Sequence, residues 1–182
     1  MPKEEALKLI RDYVLKENNI KHMVAVSGIM RELAARLGEN VAEWELVGLL
    51  HDIDFERCNG IEDHTFVAKE ILRGKISDHL IEVIMAHNFE NTKVPPDSAI
   101  KKALVASDAL SGLIVATALV MPSKKIAEIK RETLIKKFKS KDFARGASRE
   151  RILLCSELGL SLEEFMDIGL EGMKKVAAEL GL

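Results

Sequence analysis

The sequence predicts an all-α protein. Apolar residues recur at three- and four-residue spacing through nearly every segment, and the β-type alternation of Val, Ile and aromatic residues is missing. Capping and stop residues also fall at the ends of the periodic segments.

The first predicted helix runs from Pro2 to about Glu17, with Ala6, Leu7, Ile10, Tyr13 and Val14 on one side, and Asn18-Asn19 breaks it. The second runs from about Ile20 to Leu37 and stops at Gly38. His22 leads its apolar face, followed by Val26, Ile29, Leu33 and Leu37, so the imidazole points inward. The third covers about Val41 to His51, where Trp44, Val47 and Gly48 put His51 on the inward stripe next to Asp52. A loop turning at Asn59-Gly60 follows. Asp63 then reads as the N-cap of a helix to Leu72 that starts with His64. Ser77 caps the next helix, where Leu80, Val83, Ile84 and His87 share a face, and Pro95-Pro96 fixes the loop from Asn91 to Pro96.

From Ala103 to Met121 the only charge is Asp108. A membrane span would place that aspartate in mid-bilayer at a cost of about 2.5–3.5 kcal/mol. Basic pairs at both ends, Lys101-Lys102 and Lys124-Lys125, give no orientation signal. The segment is expected instead as a helix buried on all sides at the centre of a bundle, with Asp108 deep inside and Gly112 leaving room for a neighbouring backbone. Ser161 and Glu164 form a capping box that opens a last amphipathic helix to about Leu180.

With 182 residues the chain is expected to be one domain, with a core at about 20–120 and a C-terminal helical extension at about 123–182. Hydrophobic content of 47% and charged content of 31% are those of a soluble globular protein rather than a disordered one. A net charge of −2 gives no steer toward nucleic acid or an anionic membrane, and neither partner is expected. Residues Ser123 to Arg151 nevertheless carry a balance of +7, which reads as a solvated helix face or as an anion-facing surface. Cys58 and Cys155 sit in no metal-type spacing and are expected as free thiols. The charged start Met1-Pro2-Lys3-Glu4-Glu5 lacks a signal-peptide core, so a cytoplasmic location is expected. No glycine-rich phosphate loop and no Gly-x-Ser-x-Gly elbow is present.

Four of the five histidines, His22, His51, His64 and His87, thus fall on inward faces of four separate helices, joined by Asp52 and Asp108. Each alone would be an ordinary buried polar group with a partner. Together they are explained by one metal cluster at the bundle centre, because neutral imidazole and carboxylate are both good ligands of divalent ions.

The order His22, His51-Asp52, Asp108 in a helical chain resembles the HD-domain superfamily of metal-dependent phosphohydrolases, over about residues 20–120. His64 in Asp63-His64-Thr65 and His87 in Ala86-His87-Asn88 resemble the two extra histidines of its dinuclear subgroup. The runs Asp108-Ala109-Leu110-Ser111-Gly112-Leu113 and Phe143-Ala144-Arg145-Gly146 resemble small stand-alone predicted hydrolases of the HD type.

The resemblance implies a first ion on His22, His51, Asp52 and Asp108, and a second on His64 and His87 with Asp52 bridging. It implies hydrolysis of a nucleotide or other small phosphorylated molecule by a hydroxide held between the ions. Fe, Mn, Zn, Ni and Co all suit this donor set, and one or two ions are expected. Signalling-type members have Gly-Lys where this chain has Asp54-Phe55, so that phosphate-contacting lysine is lacking. Asp54 is a candidate catalytic residue beside Asp52, as an acceptor orienting a water or a ligand histidine, or else a helix-end residue. Arg57, Lys101, Arg145 and Arg149 are the candidates for anchoring the substrate. A di-iron oxygenase on the same ligands and a non-catalytic metal- or nucleotide-binding module are the alternatives.

Overall fold

The structure is a computed structural model that describes residues 1–182, and it is helical throughout with no strand. The α-helices are α1 (Lys3–Tyr13), α2 (Glu17–Leu37), α3 (Val41–Leu50), α4 (Phe66–Leu72), α5 (Asp78–Ala86), α6 (Phe89–Thr92), α7 (Ala99–Val120), α8 (Arg131–Lys139), α9 (Arg149–Leu153), α10 (Leu162–Lys175) and α11 (Ala177–Leu180). Single 3₁₀ segments at Ile126–Glu128 and Leu154–Leu158 join the later ones.

The centre is α2, which packs against α3 on one side, α10 on another and α7 on a third. Its Met23, Val26, Ile29, Met30 and Leu33 are fully buried, each adding roughly 1.5–3 kcal/mol of transfer free energy. One continuous apolar cluster runs from Ala6 to Leu180. Two pairs of backbones come unusually close. A Cβ built on Gly48 of α3 would lie 2.9 Å from Ser27 Cα of α2, and one built on Gly28 of α2 would lie 2.7 Å from the Gly172 carbonyl oxygen of α10.

Most expected boundaries hold within a few residues, and four expectations need correction. First, Asn18-Asn19 does not break a helix: the chain is extended at Val14 and Lys16, and the asparagines lie in the first turn of α2. The cause is remote. The Glu56 carboxylate accepts from the Leu15 and Lys16 amides (3.1 and 2.9 Å) and from the Asn19 side chain (2.8 Å), which fixes this start.

Second, Asp63 does not cap α4. It accepts from Asn59, while the helix begins after Thr65, whose φ of 70° is unusual for a β-branched residue. Third, α7 is not buried on all sides: Leu119 and Val120 near its end are 53% and 56% exposed. It is the one helix long and apolar enough to cross a membrane, yet 67% of its most apolar window is buried inside the protein. Fourth, no backbone approaches Gly112, where an added Cβ would meet only Ala147 Cβ at 4.0 Å. The expected caps at Ser77 and the Ser161–Glu164 capping box are both present.

Candidate metal centre

Six side chains from five parts of the chain meet at one end of α2. His22 stands in the first turns of α2, His51 closes α3 and Asp52 follows it. His64 precedes α4, His87 closes α5 and Asp108 lies mid-way along α7. The ring nitrogens Nε2 of His22 and His51 are 3.2 Å apart, and those of His64 and His87 are 3.0 Å apart. Asp52 lies among all four. Its carboxylate oxygens are 3.6 Å from His22, 3.5 Å from His51, and 3.3 Å from both His64 and His87. Asp108 reaches His22 at 3.1 Å and His51 at 4.0 Å.

The opposite ring edges are pinned by the fold. His51 Nδ1 donates to the Gly48 carbonyl at 2.9 Å, and His87 Nδ1 donates to the Ile84 carbonyl at 3.0 Å. Both partners are the i−3 carbonyls of the helix the histidine closes, in the last turn where carbonyls have acceptor capacity to spare. His64 Nδ1 donates to Asp54 Oδ1 at 2.9 Å. His22 Nδ1 faces the Ser111 hydroxyl at 3.3 Å. A carbonyl or carboxylate can only accept, so at least three rings carry a hydrogen on Nδ1 and turn Nε2 inward, where its lone pair is available whenever the ring is neutral.

Asp54 supports this arrangement from behind. It is fully buried, and its second oxygen accepts from the Thr65 and Ala68 amides at 2.7 and 2.9 Å. It therefore caps α4 from eleven residues upstream and holds Thr65 in its left-handed conformation, which would otherwise cost about 1–3 kcal/mol. Burial works against its charge, but His64 and the two amides keep the Asp54 carboxyl below its usual range. Asp54→Asn is expected to keep the shape, lose the charge and weaken metal binding about 10–100-fold, read by metal titration of the chelator-treated protein.

Electrostatics divide the rings. Burial pushes His51 down to about 4, so it stays neutral and able to donate a lone pair. Burial also penalises a charged His64, but Asp52 and Asp54 on its two sides outweigh this and raise it to about 9. His51, His64 and His87 likewise overcome the burial of Asp52 and hold it well below the carboxylate range. Without an ion, His64 thus carries a proton at pH 7 that a divalent ion must displace. Metal binding at pH 7.5 is expected to release about one proton, seen by calorimetry in buffers of different ionisation enthalpy. The release should fall to about half near pH 9 and fade above it, and affinity should rise with pH up to that range.

These donors fit an ion. His22, His51 and Asp108 offer ligand atoms all within 4.8 Å of one another, and so do His51, Asp52 and His87. The grouping of Asp54, Cys58 and His64 is equally tight. It is a weaker candidate, because burial and Asp54 push the Cys58 thiol up to about 12 and His64 Nδ1 is already spent on Asp54.

The expected substrate anchors lie elsewhere. Arg57 donates to the Tyr13 and Asp12 carbonyls and closes the end of α1. Lys101 is 4% exposed and paired with Glu82 and Asp97. Arg145 is exposed and paired with Asp142 at 3.0 Å. Arg149 donates to six carbonyls between Lys137 and Ala147, which shapes the turn before α9. A cation that the sequence did not single out stands at the site instead. Arg151 donates to the His87 carbonyl at 3.1 Å, pairs with Glu90, and lines a cavity of about 330 Å³ with Asp52, His64, His87 and Asp108. Asn88, also missed as a site residue, donates to the Ile61 and His64 carbonyls at 2.9 Å and ties α5 to the His64 loop.

The family model of the HD domain matches residues 19–115, which takes in all six converging side chains. Ribonuclease Y of Fervidobacterium nodosum is 38% identical over 97 residues, 52% of this chain and 18% of the ribonuclease. Ribonuclease Y of Thermosipho melanesiensis is 38% identical over 98 residues, with the same shares. The chain thus spans about a fifth of the length of these ribonucleases. The uncharacterized protein MJ0778 of Methanocaldococcus jannaschii is 33% identical over 165 residues, 85% of this chain and 94% of that protein. No solved structure matches the chain significantly.

Proposed function

The chain belongs to the HD domain family, and from that premise we propose that it is a divalent-metal-dependent phosphohydrolase cleaving a phosphoester of a nucleotide or another small phosphorylated molecule. One observation carries this function: the inward Nε2 atoms of four imidazoles stand in pairs 3.0–3.2 Å apart around a shared carboxylate, an arrangement that cations stabilise and solvent does not. His22, His51, Asp52 and Asp108 would hold one ion, and His64 and His87 with Asp52 a second. Bound there, the ions would supply Lewis acidity toward the phosphoryl oxygens and a water acidic enough to attack phosphorus near neutral pH.

The chain's own part is placement and charge. Asp52 and Asp108 bring the negative charge that retains cations. Asp54 fixes the His64 ring. Arg151, on the cavity wall beside Asp108, is set to meet a phosphate oxygen, for which a planar guanidinium is well shaped. Hydrolysis adds hydroxyl to phosphorus and hydrogen to the departing oxygen, breaking one P–O bond, with no covalent bond to the protein. That agrees with the thiol of Cys58 being held protonated and the Ser111 hydroxyl being donated to the Asp108 carbonyl at 2.8 Å.

The test is elemental analysis of protein purified without chelator, followed by a phosphoester panel with the metal found. Two equivalents of metal and turnover of at least one ester are expected. One equivalent leaves His64 and His87 as polar pocket residues. Full metal occupancy with no turnover sinks the hydrolase in favour of a binding module, and product formed only with O₂ sinks it in favour of an oxygenase. The HD-domain match takes in all six candidate ligands, and ribonucleases Y are among the relatives, so a short single-stranded RNA belongs in the panel as a second reading.

A further inference from the structure

Three cavities share walls across the metal centre. The one at the centre has Phe55 and Ile61, 51% and 58% exposed, at its rim. A second, of about 260 Å³, shares Asp108 and Arg151 with it and adds His22, Gly112 and the turn Gly146-Ala147-Ser148. A third, of about 530 Å³, shares His22 and Gly112 with the second and is walled by Val115, Ala116, Leu119 and Leu180. The three lie in a row, each sharing two lining residues with the next, with the six converging side chains near one end and apolar walls at the other. Gly112, with His22, lies on the wall common to the second and third.

That glycine is costly where it stands. Inside a 22-residue helix it gives up about 1 kcal/mol relative to alanine, and no neighbour requires its small size. An added Cβ would meet only Ala147 Cβ at 4.0 Å. Gly112 lines both the cavity that borders the metal centre at His22 and Asp108 and the cavity at the apolar end of α7, where Leu119 is 53% exposed. A volume of about 530 Å³ lies within the roughly 300–1,000 Å³ typical of ligand pockets, and is more than a phosphoryl group fills.

We propose that the third cavity is a substrate arm that takes an apolar-faced organic substituent of the phosphoester, such as a nucleoside, with Gly112 as its opening from the metal centre. This rests on the hydrolase function above. The walls of the arm carry few charged groups; Lys21 and Asn18 stand at its edge. Recognition is therefore by packing against flat or apolar faces rather than by charge.

The variants are Gly112→Leu, which fills the opening, and Gly112→Ala, which tests folding alone. Gly112→Ala is expected to raise Tm by roughly 2–4 °C. In Gly112→Leu, the ratio of kcat/KM for thymidine 5′-(p-nitrophenyl phosphate) to that for p-nitrophenyl phosphate is expected to fall at least tenfold. Affinity of the metal-loaded protein for thymidine 5′-monophosphate, read by calorimetry, should fall by a similar factor at unchanged metal content. An unchanged ratio and unchanged affinity overturn the arm, and so does wild-type protein that does not bind the nucleotide. If the wild type hydrolyses neither ester but Gly112→Leu weakens nucleotide binding tenfold, the arm stands and the hydrolase function falls.

Discussion

Asp52→Ala is expected to empty the metal centre and cut phosphoester turnover by at least the roughly 10²–10³-fold that follows loss of one preorganised electrostatic group. Its carboxylate alone lies within 3.6 Å of all four imidazoles. Asp108 faces only His22 and His51, so Asp108→Ala should remove one equivalent of metal and Asp52→Ala both. Two further consequences separate this from a general loss of fold. His64 loses one of the two carboxylates that hold its proton, so the proton release on metal binding at pH 7.5 should shrink. Asp52 is also partly exposed, with 14% of its side chain accessible, so its removal leaves no large apolar void, and any fall in Tm in chelated buffer should come from the lost pairing with His64 and so shrink above about pH 9. Asp52→Asn keeps the volume and removes the charge, and should match alanine in metal content. Elemental analysis beside kcat/KM with metal supplied reads all of this. Metal retained at two equivalents with activity intact in Asp52→Ala would refute the centre as described.

The bundle, and His22, His51, His87 and Asp108 within it, were legible in the sequence because they are periodic signals, whereas Asp52 was found only as the neighbour of His51, and His64, expected to start α4, stands before it. An imidazole at helical spacing from Val26 and Ile29, or from Trp44 and Val47, declares which way it faces without knowledge of any partner. What a residue does once inside depends on groups far along the chain, and periodicity carries none of that. Asp54 was ambiguous between an acceptor and a helix end. It proves to be both, since one oxygen orients His64 while the other caps α4. Glu56 settles the start of α2 from about forty residues away, and no local pattern around Asn18-Asn19 contains it. Among the arginines, one stretch holds a carbonyl clamp at Arg149 and a cavity wall at Arg151, two positions apart on a single turn. Charge and spacing do not distinguish them; only the path of the preceding turn does.

Gly172→Ala is expected to destabilise the protein by about 1–3 kcal/mol or more, lowering Tm by up to roughly 10 °C. The same exchange at Gly112 is expected to do the opposite. Intrinsic helix propensity favours alanine at both sites by about 1 kcal/mol, so the sign is decided by what the new methyl meets. At Gly172 it would overlap the Gly28 carbonyl and lie 2.9 Å from Ile29 Cα. These are backbone atoms of α2, which cannot swing aside as a side-chain tip can. The helices must part, and the fully buried Ile29, Met30 and Met173 near the contact lose packing with them. Gly28→Ala meets the reciprocal obstacle, 2.7 Å from the Gly172 oxygen, and should be nearly as harmful. Because α2 also carries His22, parting α2 from α10 should loosen the metal centre. Metal affinity is therefore expected to fall along with Tm in Gly172→Ala, measured by thermal unfolding with and without the ion. A Gly172→Ala protein that melts no lower than the wild type would show that α2 and α10 do not meet backbone to backbone.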